Sequence, residues 1–478
     1  MLDRRELLRR GMLAAGAAAM PSVLAAQVKP AADWTLGVTD VLTDITRRPL
    51  TRLHGKAPAL TGTLYRNGPA RFRRGASSVT HWFDGDGLVR AWRIEEGNAS
   101  LAARFVDTPK RRLEERLGAI VQPGFGTPAR SGSELGGPDD ANAANTHVIA
   151  AGGQLLALWE AGSPFALDPE TLATRGPVTF RSDLAQMPFL AHPRIEPSGR
   201  IWNIGSGGDH AFIWRLSADG KFEAGETIRL PMASYMHDFT ATARHLVILC
   251  QPWVQTSHSV PYLRSLEWQP ERGSRVLVID KDDLTKRREY ELPPLMFFHL
   301  GDAWEEADGT IRFDGCFHKD PAFPVLGAAA LVEGRREHSE MPALTLVTLR
   351  PDGRADLSAA GITAEFPRAA PEIAGLPRSK TVFVGDYSND RPFARAVGIW
   401  DWDKGSADRF DFGPAQLVEE FVPAGDHLIG TTLNLAAGAS ELHVFDARRI
   451  ADGPVASWRS DVALPLSFHG SWVARTGA

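Results

Sequence analysis

Trp214-Arg-Leu-Ser-Ala-Asp-Gly220 decides how this chain is read. An apolar run meets a short turn that carries an acid, and a second strand-like run follows. The same text recurs in Trp92-Arg-Ile-Glu-Glu-Gly97, Leu349-Arg-Pro-Asp-Gly353 and Trp402-Asp-Lys-Gly405, and around Asp168, Asp280 and Asp446. With Glu95, Asp168, Asp219, Asp280, Asp352, Asp403 and Asp446 as turn residues, the spacings are 73, 51, 61, 72, 51 and 43. Seven strand–turn–strand units of irregular length predict a seven-bladed β-propeller, whose blades are four-stranded. Unrelated hairpins would read the same locally. The propeller is preferred because so much strand needs a solution without long exposed edges, and radial repetition supplies one.

Further strand-like runs lie at Leu155–Trp159, Leu246–Cys250, Val276–Ile279, Leu344–Leu349, Thr381–Val384 and Leu442–Phe445, bounded by Asp, Gly and Pro. The clearest helical pattern, Pro109–Leu117, is short and highly charged. The chain has 478 residues, 45 of them Gly and 33 Pro, which suits a turn-rich all-β fold. A net charge of −5 argues against nucleic-acid binding, which usually needs a basic face. Two cysteines, Cys250 and Cys316, exclude a disulfide scaffold and a cysteine-based zinc or iron–sulfur site. Buried free thiols are the simpler reading of the two.

Residues 1–26 read as a targeting segment. Arg4-Arg5-Glu-Leu7-Leu8 precedes an Ala-rich run with small residues near Ala25 and Ala26. This order fits a twin-arginine export signal, which delivers folded cargo to the periplasm. A spanning helix is disfavoured, because about 20 apolar residues are required and Pro21 and Ser22 interrupt the run. Residues 27–478 are then one domain. Leu117-Gly-Ala-Ile-Val-Gln-Pro-Gly-Phe125 is an apolar stretch suited to touch a membrane or a partner, or to be an ordinary buried loop.

Four of the 14 histidines sit among apolar residues next to strand-like runs: His192, His237, His299 and His469. A neutral imidazole in such a setting needs two hydrogen-bond partners or a metal. Their separations of 45, 62 and 170 residues form no local ligand motif. A propeller removes that objection, since successive blades converge on one axis. An all-imidazole site suits iron, zinc or copper better than magnesium or calcium. Carboxylates that accept the far ring N–H would orient the rings and offset the charge. The candidates are Glu160, Glu365 and one of the pair Glu419 and Glu420.

At these residues the sequence resembles the carotenoid cleavage oxygenase family. The resemblance runs in order through Leu60-Thr-Gly-Thr-Leu-Tyr-Arg-Asn-Gly-Pro69, His81-Trp-Phe-Asp-Gly-Asp-Gly87, Ala144-Asn-Thr-His-Val148 and Leu156-Ala-Leu-Trp-Glu-Ala-Gly-Ser-Pro164, then the His segments, ending at Phe468-His-Gly-Ser-Trp472. It implies Fe(II) on the propeller axis, held by His192, His237, His299 and His469. Glu160, Glu365 and Glu420 would support the ligands, and a loop and helical cap would cover the metal-bearing face. The sequence departs from the family pattern in two places. The segment before Phe421-Val-Pro423 is shorter than usual, which leaves the register between Glu419 and Glu420 open with Glu420 preferred. Asp302 replaces an Asn.

The implied reaction is cleavage of a conjugated C=C bond of a carotenoid or apocarotenoid by O2, giving carbonyl products. Two rivals are retained. One is the same scaffold acting on a stilbene-type phenylpropanoid, with Lys110 as a phenol partner. The other is a non-catalytic propeller that binds a ligand or protein. Phe298, Trp304 and Phe239 are candidates for the wall of an apolar tunnel.

Overall fold

Leu246-Val-Ile-Leu-Cys250 is buried along its whole length, whereas Phe222–Arg229 is largely exposed. A strand buried on both faces needs a sheet on either side of it, and the computed structural model supplies that stacking. The structure describes residues 33–56, 58–337, 339–369, 375–376, 378–387 and 392–475. The segment 1–26 read as an export signal lies outside them.

Seven antiparallel blades follow one another from Trp34 onward. From axis to rim, blade 2 is His147–Ala151, Gln154–Leu158, Phe165–Leu167 and Thr174–Pro177. Blade 3 is Arg194–Ile195, Ile201–Gly207, His210–Leu216 and Phe222–Arg229, and blade 4 is Thr240–Ala241, His245–Cys250, Ser274–Asp280 and Arg287–Leu292. Blade 5 comprises Met296–Glu305, Ile311–His318, Ala343–Leu349 and Ala355–Arg368. That last strand is long and kinked at Gly361, where φ is +76° and only glycine is unstrained. Its far end is also the inner strand of blade 6, which continues with Lys380–Gly385, Ala396–Asp401 and Ser406–Asp411.

Blade 7 runs Gln416–Ala424, His427–Asn434, Ala439–Asp446 and Ala456–Arg459, and an early strand, Thr51–Gly55, adds to its rim. Blade 1 is built from Gly62–Pro69, Gly87–Glu95, Asn98–Phe105 and the rim strand Ile45–Pro49. Its inner edge is the late strand His469–Ala474, paired Asn67 to His469. The ring is thus closed twice, by an early strand on the last blade and a late strand on the first. Seven apolar clusters among the described residues each pack between two successive blades, the one between blades 7 and 1 included.

The seven acidic turns each fall in a different blade, at the passage from the third strand outward from the axis to the fourth. At Asp168, Asp280, Asp352 and Asp446 the acid accepts turn N–H groups. Asp168 Oδ1 takes those of Glu170 and Thr171, and Asp280 Oδ1 those of Asp282 and Asp283. In blade 6 the acceptor is Asp401, not Asp403, because Asp401 takes the N–H of Asp403 and Lys404.

Helix Pro109–Leu117 is present with its boundaries as read. Thr108 Oγ1 accepts the Arg111 N–H at 3.2 Å, and Gly118 ends the helix in the left-handed conformation. It belongs to a cap of loops with two short ribbons, Arg73–Arg74 with Ser77–Ser78 and Trp253–Gln255 with Leu266–Trp268. Of the large apolar residues in Leu117–Phe125, Leu117 is half exposed, whereas Ile120 and Val121 are buried and Phe125 faces a cavity. The stretch reads as inward-facing wall. Among the described residues no helix is long and apolar enough to cross a membrane. Cys250 and Cys316 are both free and buried.

Candidate metal centre and cavity

Each blade sends one end of its inner strand toward the axis, and that placement gathers residues scattered through the sequence. His192 lies just before the inner strand of blade 3 and His237 just before that of blade 4. His299 lies within the inner strand of blade 5, and His469 opens that of blade 1. All four are brought together. One ring nitrogen of each lies within 4.8 Å of the others, and the Nε2 atoms of His192 and His237 are 3.0 Å apart.

Three of the imidazoles have a carboxylate behind them. His299 Nδ1–H donates to Glu365 Oε2 at 2.6 Å, His469 Nδ1–H to Glu420 Oε1 at 3.2 Å, and His237 Nδ1–H to Glu160 Oε1. A carboxylate on Nδ1 fixes the tautomer and leaves Nε2 as a lone pair facing the common centre. Of the pair in the sequence, Glu420 is the one that meets a clustered histidine. Its neighbour Glu419 is instead bonded to Thr431 Oγ1, and to the backbone N–H and hydroxyl of Ser467.

Burial and the neighbouring imidazoles push His192 well below the usual histidine range. His469 is also held well below it, because burial outweighs the pull of Glu420. Burial would likewise lower His237, but Glu160 overrides it and raises the group. Glu365 and Glu420 lie well below the ordinary carboxylate range. Burial works against this, and it is outweighed by His299 at Glu365 and by Arg368 and His469 at Glu420.

These residues fit a metal ion. His299 Nε2 is buried without a hydrogen-bond partner among the described residues, a costly arrangement unless a further group satisfies it. The 3.0 Å between the Nε2 atoms of His192 and His237 would let both reach one ion at the usual nitrogen–metal distance of about 2.1 Å.

Sequence reasoning missed the groups that hold the carboxylates. The Tyr235 hydroxyl donates to Glu160 Oε2 at 3.0 Å, and His318 Nε2 lies 3.3 Å from Glu365 Oε1. Gly470 N–H donates to Glu420 Oε2 at 2.9 Å, with Arg66 Nη1 at 3.4 Å from the same oxygen. His147, at the inner strand of blade 2, is a fifth axial imidazole outside the cluster. Its Nδ1–H donates to the Ala191 carbonyl at 2.7 Å, and burial, then Arg368, push it down to about 4. No local spacing marks any of these. Only the convergence of blades would have found them.

A cavity of about 760 Å³ opens onto His237, His299 and His469 between the propeller and its cap. Its walls are mostly apolar and rich in aromatic rings, with Phe83, Phe125, Trp159, Phe298, Phe366 and Phe468 among them. Phe83 meets Phe298 and Phe468 edge-on at 5.6 and 5.7 Å. Of the three aromatic candidates, Phe298 lines the cavity and the other two do not. Trp304 lies five residues beyond His299, about 16 Å along an extended strand, and carries Arg378 over its ring. Phe239 is wholly buried between blades 3 and 4. Lys110 is not a phenol partner. It is buried beneath the cap, 2.8 Å from Asp86 and 2.9 Å from Glu114. Asp302 accepts the Gly375 N–H at 2.7 Å, and burial raises it to about 6 despite Arg378.

Residues 40–474 match the family model of the retinal pigment epithelial membrane protein. Apocarotenoid-15,15'-oxygenase of Synechocystis is 28% identical over 87% of this chain and 91% of its own. Isoeugenol monooxygenase of Pseudomonas putida is 26% identical over 88% and 94%. Lignostilbene-alpha,beta-dioxygenase isozyme III of Sphingomonas paucimobilis is 27% identical over 92% and 97%. The solved structure of cobalt-substituted Synechocystis apocarotenoid oxygenase superposes with a TM-score of 0.82 at 25% identity, covering 93% of this chain and 98% of that one. With nearly its whole length matched, this chain belongs to the carotenoid cleavage oxygenase family, that of the retinal pigment epithelial membrane protein.

Proposed function

We propose that this protein binds Fe(II) through His192, His237, His299 and His469 and cleaves a conjugated C=C bond of a carotenoid or apocarotenoid with O2. Two carbonyl products result, one oxygen atom entering each. The observation that carries the reading is the meeting of four imidazoles at the floor of an aromatic cavity. Four neutral nitrogen donors suit a first-row transition ion, and a cobalt-substituted relative accords with such a site. When bound, the iron supplies the redox chemistry with O2 that no side chain here can perform.

The chain itself supplies shape and orientation. Phe83, Phe298 and Phe468 offer ring edges to a flat polyene and keep water away. Glu160, Glu365 and Glu420 hold the ring planes of their histidines. No acid–base relay is needed, and no Ser–His–Asp or Cys–His arrangement is used.

Anaerobic loading with Fe(II), then O2 and a panel of apocarotenals and stilbenes with mass analysis of carbonyl products, tests the reading. Cleaved apocarotenals support it. Cleavage confined to stilbenes or phenylpropenes would move the substrate to the class named for the lignostilbene and isoeugenol relatives. Stoichiometric iron with no O2 consumption on any probe would favour a binding module. We also propose that residues 1–26 export the folded protein to the periplasm. Arg4→Lys with Arg5→Lys should leave it in the cytoplasmic fraction, and an unchanged periplasmic fraction would overturn this.

A further inference from the structure

His318 closes the second strand of blade 5, and its ring forms part of the cavity wall at 5% exposure. Its Nε2 faces Glu365 Oε1 at 3.3 Å. An ionised carboxylate can only accept, so the ring proton sits on Nε2 and Nδ1 is left as a lone pair. That Nδ1 is buried and has no partner among the described residues. Phe323 stacks on the ring at 6.2 Å and 12°, and Phe298 meets it edge-on at 6.0 Å. Neither offers an N–H or O–H.

Buried acceptors are satisfied in more than about nine cases in ten. Here no described residue provides a donor, and the ring borders a space large enough for a ligand. We propose that His318 is a specificity residue that accepts a hydrogen bond from a hydroxyl of the substrate. The inference rests on the reading of the cavity as the substrate site. It deepens that reading by adding a hydroxyl to the substrate. Glu365 joins His318 to His299, so the hydroxyl would sit one carboxylate away from the imidazole cluster. It would therefore set which double bond lies over the reactive centre. A phenolic stilbene and a hydroxylated apocarotenoid share this chemistry.

Two probe pairs separate those sources: 4-hydroxystilbene against stilbene, and a 3-hydroxy-β-apocarotenal against its deoxy counterpart. Binding to the iron-loaded protein without O2 is read by quenching of tryptophan fluorescence, Trp82 and Trp159 being in the wall. The hydroxylated member of one pair should bind about 10-fold more tightly. His318→Phe should bring that ratio close to one. His318→Gln, which keeps a donor for Glu365 and an acceptor for the hydroxyl, should retain part of it. Iron content is measured for each variant. A wild-type ratio near one in both pairs, with water alone satisfying Nδ1, overturns the proposal whatever the variants do. So does a preference that survives in His318→Phe, or iron loss in His318→Phe with the preference intact. Hydroxyl discrimination without any cleavage would sink the oxygenase reading and leave the role of His318 standing.

Discussion

Glu419 and Glu420 are neighbours in one strand, yet they serve different partners. The ladder of that strand shifts register between Val418 and Phe421, so Glu420 reaches His469 while Glu419 turns to Ser467 and Thr431. Glu420→Gln should therefore weaken iron retention by about 10–100-fold in chelator competition. Glu419→Gln should leave iron content unchanged and cost about 1–3 kcal/mol in urea unfolding, because one of the two oxygens that accept from Thr431 and Ser467 becomes an NH2 donor. Equal effects on iron would return the register to doubt. His299→Ala should lose iron and turnover but keep a near-native melting curve, since the seven clusters between blades make no use of the metal. Stoichiometric iron in that variant would refute the ligand assignment. At this scale the sequence was informative where chemistry forces a residue type and silent where it does not. The four His, Glu160, Glu365 and the pair Glu419–Glu420 could be singled out because imidazoles among apolar residues demand partners, but the register within the pair could not. Tyr235 and His318 were not, because nothing in Tyr235-Met-His237 or Phe317-His318-Lys319 reveals which carboxylate each will meet. Trp304 was misplaced because closeness in sequence is distance along a strand.

Helix Pro109–Leu117 matters less for its length than for Glu114. Glu114 Oε1 accepts the N–H groups of Val121 and Gln122 at 3.0 Å each, while Oε2 meets Lys110. Nearby, Asp84 accepts from Phe125 N–H at 2.6 Å and from Thr127 N–H at 2.8 Å. Two buried carboxylates thus hold the loop that brings Phe125 into the cavity. Burial would raise Asp86, but Lys110 and Arg74 outweigh it and hold it below its ordinary value. Burial would lower Lys110, but Asp86 and Glu114 raise it. A depressed carboxyl contributes stability above its unfolded pKa, about 3.9, and that contribution fades as pH falls through the lower folded value. A raised ammonium contributes below its unfolded pKa of about 10.4 and fades as pH rises through the folded value. Lys110→Met should accordingly cost about 3–5 kcal/mol near neutral pH. The deficit should shrink as pH falls through the acid range, where Asp86, deprived of Lys110, protonates before its wild-type counterpart. A deficit independent of pH in urea melts from pH 3 to 7 would show that the loss is one of packing. The helix was readable from its short, highly charged pattern. Its role was not, since the N–H groups it serves lie in a loop with no pattern.

Across the whole molecule, His469–Ala474 does two jobs, closing blade 1 against Gly62–Pro69 and supplying a ligand. Ending the chain at Phe468 should abolish iron binding and also lower the melting temperature or solubility, whereas His469→Ala should abolish iron binding alone. A truncated protein that melts like wild type would mean that the inner strand is dispensable for closure. The seven blades were legible because each repeats an acid at the same passage between strands. The double closure was not, since neither Thr51–Gly55 nor His469–Ala474 carries a mark of its remote partner. The strand Ala355–Arg368 has a consequence for recombination between relatives. At six blade junctions the chain passes to the next blade through residues outside the blade strands. At the seventh, one strand leaves the rim of blade 5 and arrives at the axis as the inner edge of blade 6, bringing Glu365 to His299. Blades 5 and 6 are therefore a single heritable module: a chimera joined inside Ala355–Arg368 breaks a strand that belongs to both blades, whereas joints placed before Met296 or between Asp411 and Gln416 keep that strand, His299 and Glu365 together.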